Sequence, residues 1–364
     1  MNHWKESAEI LRRLGELPAD RRAAIATVVR IAGSAYRRPG AKLLLEDSGD
    51  TLGSVSGGCL EADVREVAVT VLDTGTPSLR HYDTGGGDTI WGLGLGCNGS
   101  VDVNIQPASR GPLAELAGCL RRLFAGDAPF ALLTVLAAPE GAGAMLLVEA
   151  AGAVHGTLGA ADLDRLGVEA AHAALTAGHP EVRTLAGCEV FVDVMPPPPH
   201  LIVCGGGDDA RPLVAYAADV GFRVSLLDHR PALIEEKWFP QAARRVQARP
   251  EAPDVELPAA DRSLAVVKTH SLGHDREWVR RLLAAGVPYI GLLGPRARTE
   301  SILQELGVDP CAAASHTVFG PVGLDIGADG PRQVAISIVS ELLAFLAKRQ
   351  PGHLSERREP IHVG

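Results

Sequence analysis

The chain has 364 residues, 46% of them hydrophobic, and a formal net charge of −9. That is enough for two or three cores and excludes a disordered chain. The acidic balance argues against nucleic acid or an anionic membrane as the main partner, leaving only a local basic patch such as Arg37-Arg38. No run of 18 apolar residues occurs, and the start, Met-Asn-His-Trp-Lys-Glu-Ser, lacks the basic-then-apolar order of a signal peptide, so a cytoplasmic protein is expected. Cys59, Cys97, Cys119, Cys188, Cys204 and Cys311 form no C-x-x-C pair, which reads as free thiols.

Residues 1–195 form the first predicted domain, and they contain a repeat. Gly40-Ala41-Lys42-Leu43-Leu44-Leu45-Glu46 returns as Gly143-Ala144-Met145-Leu146-Leu147-Val148-Glu149, and Gly49, Gly53, Gly75 and Pro77 fall on Gly152, Gly156, Gly178 and Pro180, all at an offset of 103. Cys97 with Val101-Asp102-Val103 matches Cys188 with Val192-Asp193-Val194 at an offset of 91. Two α+β copies, about 20–107 and 128–195, follow from this pattern. Polar residues found in one copy only need a reason other than the shared fold. Copy one has Arg37-Arg38-Pro39, Ser56-Gly57-Gly58-Cys59, Glu61, Asp63 and an inserted stretch from Asp83 to Gly94, so it reads as the working copy, with simple drift as the alternative.

Taken in order, Arg37 and Arg38 sit in a loop stiffened by Pro39 and suit phosphate or carboxylate, or are merely solvated. Ser56, Gly57 and Gly58 precede a helix and suggest an anion cradle. A thiol in that turn, Cys59, would suit a soft metal or sulfur; otherwise it is a small residue closing a tight turn. Trp91, in a glycine-rich segment, reads as part of a lid able to cover a planar ring.

Pro196-Pro197-Pro198-Pro199 reads as a stiff linker. Beyond it, apolar strand candidates at 201–204, 223–228, 264–268 and 289–293 alternate with helical patterns near 209–218, 275–285, 296–306 and 331–349. The alternation predicts a Rossmann-like, doubly wound parallel sheet over 196–349, with a loose polar tail at 350–364. Gly205-Gly206-Gly207-Asp208-Asp209-Ala210 follows the first strand as G-x-G-x-x-A, and Asp228 comes 21 residues after Gly207. Gly205 and Gly207 would let a phosphate approach the backbone, and Asp228 would accept from a ribose hydroxyl. His270 ends a strand on the ligand side of the sheet, either as an acid/base contact or as a strand-end residue. Arg296 or Arg298 would meet an anion, and Asp325 either points into the cleft or caps a turn.

Gly33-Ser34-Ala35-Tyr36-Arg37-Arg38-Pro39-Gly40, Gly53-Ser54-Val55-Ser56-Gly57-Gly58-Cys59-Leu60-Glu61, Trp91-Gly92-Leu93-Gly94-Leu95-Gly96-Cys97 and Gly323-Leu324-Asp325-Ile326-Gly327-Ala328 together resemble the XdhC/CoxI family of xanthine dehydrogenase accessory proteins. The resemblance implies a chaperone, not itself a catalyst, that binds molybdenum cofactor (molybdopterin), protects it during sulfuration by a cysteine desulfurase, and delivers it to a molybdenum hydroxylase apoenzyme. Arg37, Arg38, Trp91 and Cys59 would contact the cofactor, Cys59 through molybdenum or sulfur. The Rossmann turn is open to NAD(P), to another nucleotide, or to no ligand, and a homodimer is open as well. The rival reading is an NAD(P)-dependent oxidoreductase with His270 as acid/base.

Overall fold

The computed structural model describes residues 2–33, 35–83, 99–138, 140–252, 256–258, 262–308 and 317–356. They fall into two compact units, Asn2–Pro197 and Pro198–Glu356.

In the first unit the chain runs through α1 (Asn2–Glu16), β1 (Ala23–Gly33), β2 (Lys42–Glu46), β3 (Thr51–Gly53), α2 (Glu61–Thr74), β4 (Ser78–Asp83) and β5 (Gly99–Pro107). It then repeats the order with α3 (Pro112–Ala125), β6 (Phe130–Ala137), β7 (Met145–Glu149), β8 (Val154–Thr157), α4 (Ala161–Ala177), β9 (Glu181–Leu185) and β10 (Cys188–Met195). The sheets are topological twins, ordered β3-β2-β1-β5-β4 and β8-β7-β6-β10-β9. Each copy opens with a helix, a part of the repeat that the sequence pattern does not show.

Strand alternation builds the layers. On β1 and β2, Ala24, Ala26, Val28, Leu43 and Leu45 pack on Val64, Val67 and Val71 of α2. The intervening Ala23, Ile25 and Leu44 face a shared core with Phe130, Leu132 and Leu147 of the second sheet, closed by Ile10 and Leu11 of α1 and Leu120 and Leu123 of α3. Gly53 and Gly156 are matched necessities: both have positive φ, and a Cβ on either would lie 2.4 Å from a backbone oxygen, that of Lys42 or of Met145.

The ladders correct the match at offset 91. Ile25 pairs with Gln106 where Leu132 pairs with Asp193, and Arg30 pairs with Asp102 where Ala137 pairs with Glu189. Asp193 is therefore the counterpart of Gln106, and Asp102 that of Glu189. Likewise Tyr82 pairs with Val101 and Leu185 with Cys188, so Cys188 corresponds to Val101 rather than to Cys97. The sequence match is wrong by four residues, an even slip that keeps every side chain on its face and leaves the apolar alternation intact.

The second unit comprises β11 (His200–Cys204), α5 (Ala210–Asp219), β12 (Arg223–Asp228), β13 (Arg244–Gln247), β14 (Ser263–Val267), α6 (Leu272–Ala284), β15 (Tyr289–Leu292), α7 (Arg296–Glu305), β16 (Val318–Phe319) and α8 (Gly330–Leu346). Its parallel sheet has the order β13-β12-β11-β14-β15-β16, which reverses direction between β11 and β14. The central strands are buried on both faces, α5 and α8 covering one and α6 and α7 the other, as their near-continuous apolar runs require. The edge strands β13 and β16 carry no such run, and sequence reading overlooks them.

Candidate functional site

The first candidate lies where copy one turns into α2. The expected anion cradle is already filled by the chain itself. Glu61 accepts from the Ser56 N–H at 2.9 Å and from the Ser56 hydroxyl, while Ser56 Oγ accepts from the Gly58 and Leu60 N–H groups at 3.1 Å each. Burial raises the Glu61 carboxyl, but the Ser56 hydroxyl and N–H outweigh it and hold the group below its ordinary value. Copy two uses the same device: Asp164, at the offset of 103 from Glu61, accepts from the Leu158 N–H at 2.6 Å and from the Thr157 hydroxyl at 2.8 Å. Glu61 is thus a shared helix-start residue and no mark of a working copy.

Arg37, expected to grip an anion or else to be solvated, is paired within the chain. It is half-buried and donates to Glu6 of α1, which fastens the loop to the first helix. Arg38 is exposed. What copy one leaves accessible around this turn is Arg38, the open Gly57 and Gly58, the half-buried Cys59, and Tyr36, which is 72% exposed. The Tyr36 ring lies against Gly57, 3.6 Å from where a Cβ would stand. Trp91 and Cys97 lie outside the described residues, as does Cys311.

The second candidate is the switch point between β11 and β14, where ligands of such sheets collect. Here the structure gives Asp228 a task other than the one expected. Its side chain is buried, and its oxygens accept from the Gly206 N–H (2.8 Å), the Arg230 N–H (2.9 Å), and Arg230 Nε (3.0 Å) and Nη2 (2.8 Å). Burial would raise this carboxyl, but the Arg230 and Gly206 donors bring it down to about 2. Asp228 clamps the glycine turn and is not a free ribose acceptor.

The turn is closed in other ways too. A Cβ at Gly205 would lie 2.5 Å from Lys268 O, and one at Gly206 would lie 2.5 Å from Leu233 O, so both glycines serve close backbone packing. Gly207 instead faces the Asp209 carboxylate, 2.7 Å from its virtual Cβ. An acid at the N-cap of α5, Asp209, with a second, Asp228, clamped on Gly206, does not fit a pyrophosphate at this turn.

Asp209 Oδ2 lies 2.8 Å from Lys268 Nζ and 3.3 Å from His270 Nε2. Burial lowers the Lys268 ammonium from its ordinary value against the pull of Asp209, and Asp209 in turn is held low because Lys268 and His270 outweigh its own burial. His270 has φ of 61°, a left-handed conformation uncommon for a side chain of its size. Asp325 is exposed on the loop before α8. Arg298 is committed to buried Asp275 at 2.6 Å and is not free for an anion, whereas Arg296, 82% exposed, makes only a surface pair with Glu300 at 3.0 Å. Sequence reading passed over Lys268 as a site residue, although a lone lysine closing the apolar run Leu-Ala-Val-Val was the available signal.

No helix among the described residues is long and apolar enough to cross a membrane, and no group of three or more His, Cys, Asp or Glu among them could hold a metal ion.

Residues 17–83 and 123–186 match the XdhC and CoxI family, and residues 201–342 match the XdhC Rossmann domain. A Bacillus subtilis protein described as a probable xanthine dehydrogenase subunit is 34% identical over 323 residues, 88% of this chain and 92% of its own length. "Uncharacterized protein YqeB" of Escherichia coli is 27% identical over 229 residues, 58% of this chain and 42% of that one. A crystal structure described as a xanthine dehydrogenase from Bacillus halodurans superposes with a TM-score of 0.76 at 28% identity, covering 95% of this chain and 97% of its own. With both halves matched and a relative similar over nearly the whole length, the chain belongs to the XdhC/CoxI family.

Proposed function

We propose that the protein is a maturation factor for a molybdenum hydroxylase of the xanthine dehydrogenase type, which receives molybdenum cofactor as cargo, holds it through sulfuration by a cysteine desulfurase, and delivers it to the apoenzyme. The observation that carries this reading is the family membership over both units, together with the Bacillus subtilis relative described as belonging to a xanthine dehydrogenase. The accessible surface of copy one is compatible with it. Cys59 offers a half-buried thiol for a soft atom, Arg38 an exposed cation, and Tyr36 an exposed ring beside a turn without side chains. Arg37 holds the loop in place through Glu6.

The test is co-expression with the client, purification of the complex, and molybdenum and pterin analysis of the bound fraction, together with client activity. Cys59→Ser is expected to abolish or strongly reduce maturation while the protein still folds by circular dichroism. Cys188→Ser, in copy two, should mature the client normally at a stability cost of roughly 1 kcal/mol. Full maturation by Cys59→Ser would remove the thiol from the mechanism, and a client that matures equally well without the protein would remove the function.

A further inference from the structure

Behind the glycine turn of the second unit, a cavity of 190 Å³ opens between α5, the ends of β14 and β15, and α8. Its walls are apolar, formed by Leu213, Leu293, Val334 and Ile338, and its polar groups are Asp209 and Lys268. Exposure falls steadily inward: the His270 side chain is 62% exposed, Asp209 28% and Lys268 2%. Lys268 Nζ lies 2.8 Å from Asp209 Oδ2, and among the described residues no other group accepts from the ammonium, which has three N–H donors. A buried N–H donor left without an acceptor costs about 1–3 kcal/mol, so the free donors of this ammonium call for a partner.

Charge restricts what that something is. Lys268 and Asp209 already cancel, so an anion would set a second negative charge beside Asp209, and a cation a second positive charge beside Lys268, both in an apolar chamber. A neutral group with an acceptor next to a donor satisfies both: a carbonyl oxygen for the ammonium and an adjacent N–H for the carboxylate. The volume lies below the ~300 Å³ at which drug-sized sites begin, and so fits a small ring rather than a dinucleotide. We infer that the switch-point cavity of the second unit is a binding site for a small neutral cyclic amide, held by Lys268 at its carbonyl and Asp209 at its N–H, with the ring between Leu213, Leu293 and Ile338. The inference rests on the second unit alone and does not depend on the maturation role.

The experiment is isothermal titration of the full-length protein with 2-pyridone and hypoxanthine as cyclic amides, benzoate as a ring of similar size bearing an anion, and NAD as a dinucleotide. Both amides are expected to bind, and benzoate and NAD to fail to displace them. Lys268→Met should weaken amide binding by about tenfold or more, the usual effect of losing a hydrogen bond to a charged group. Ala335→Leu leaves the ion pair alone and fills the cavity, so it should abolish amide binding even if Lys268→Met folds poorly. The inference is overturned by tighter binding of benzoate or NAD than of the amides, by amide binding that survives Ala335→Leu, or by no amide binding at about 1 mM.

Discussion

Replacing Lys42 by Met is expected to destabilise the first unit by about 3–5 kcal/mol. Lys42 on β2 and Asp193 on β10 form an ion pair inside the core shared by the two sheets, with Nζ 2.5 Å from Oδ2 and side chains 8% and 5% exposed. The lysine also donates to Gly40 O at 2.9 Å. Across the repeat the same two positions hold Met145 and Gln106, in contact at 3.2 Å from Nε2 to sulfur, so the core accepts a neutral version of the pair. Lys42→Met alone strands the carboxylate. Burial already raises the Asp193 carboxyl despite the pull of Lys42, and without the lysine it must take up a proton to stay buried. The folded variant then binds a proton that the unfolded chain lacks between the ordinary carboxylate value and the raised one. Its stability therefore falls as pH rises through that window, and the defect should be larger at about pH 8 than at about pH 5. Lys42→Met with Asp193→Gln installs the Met–Gln pair of the opposite side and should recover to within about 1–2 kcal/mol of the parent. Urea unfolding with hydrogen exchange on peptides from β2 and β10 reports this unit separately. A single variant losing less than about 1 kcal/mol would refute the buried-charge argument, and a double variant as unstable as the single would refute the equivalence of the two sides.

Three further outcomes follow from the same structure. Burial first, and the Lys42 charge second, lower His3 to about 3, so the folded protein resists a proton that the unfolded chain accepts below about 6.5; stability should fall by roughly 2 kcal/mol from pH 7 to pH 5, and His3→Leu should flatten that slope in urea titrations. Asp228, held at about 2, stabilises fully above the unfolded value and loses that contribution as pH falls from about 4 towards 2, so Asp228→Asn should cost the second unit roughly 2 kcal/mol at neutral pH, and an unchanged urea midpoint would mean that the clamp on Gly206 carries no energy. Arg37→Ala should lower stability by about 1 kcal/mol through the half-buried Glu6, whereas Arg38→Ala should leave the melting temperature unchanged; equal behaviour of the two would put Arg37 back in solvent.

The architecture was largely legible in the sequence because it is written in near neighbours. Apolar strands, glycine punctuation and helical periods in the second half specify a doubly wound sheet, and the glycines at an offset of 103 in the first half disclose two copies, since each such glycine answers a local demand of turn geometry. Tertiary structure decided the rest, because partners distant in sequence leave no local trace. The pairing of Arg37 with Glu6 makes a structural tie of a residue that composition alone would leave in solvent. The register of β10 distinguishes Asp193 from Asp102 only through its ladder, since a four-residue slip preserves the alternation that sequence reading depends on. Whether a glycine-rich turn is open to an anion or closed by an acid of its own depends on where Glu61 and Asp228 fold back, and sequence shows the donors of such a turn but not who has already taken them. Lys268 shows the same division: its place at the end of an apolar strand is local, while its burial beside Asp209 over a cavity exists only once β14, α5 and α8 have packed.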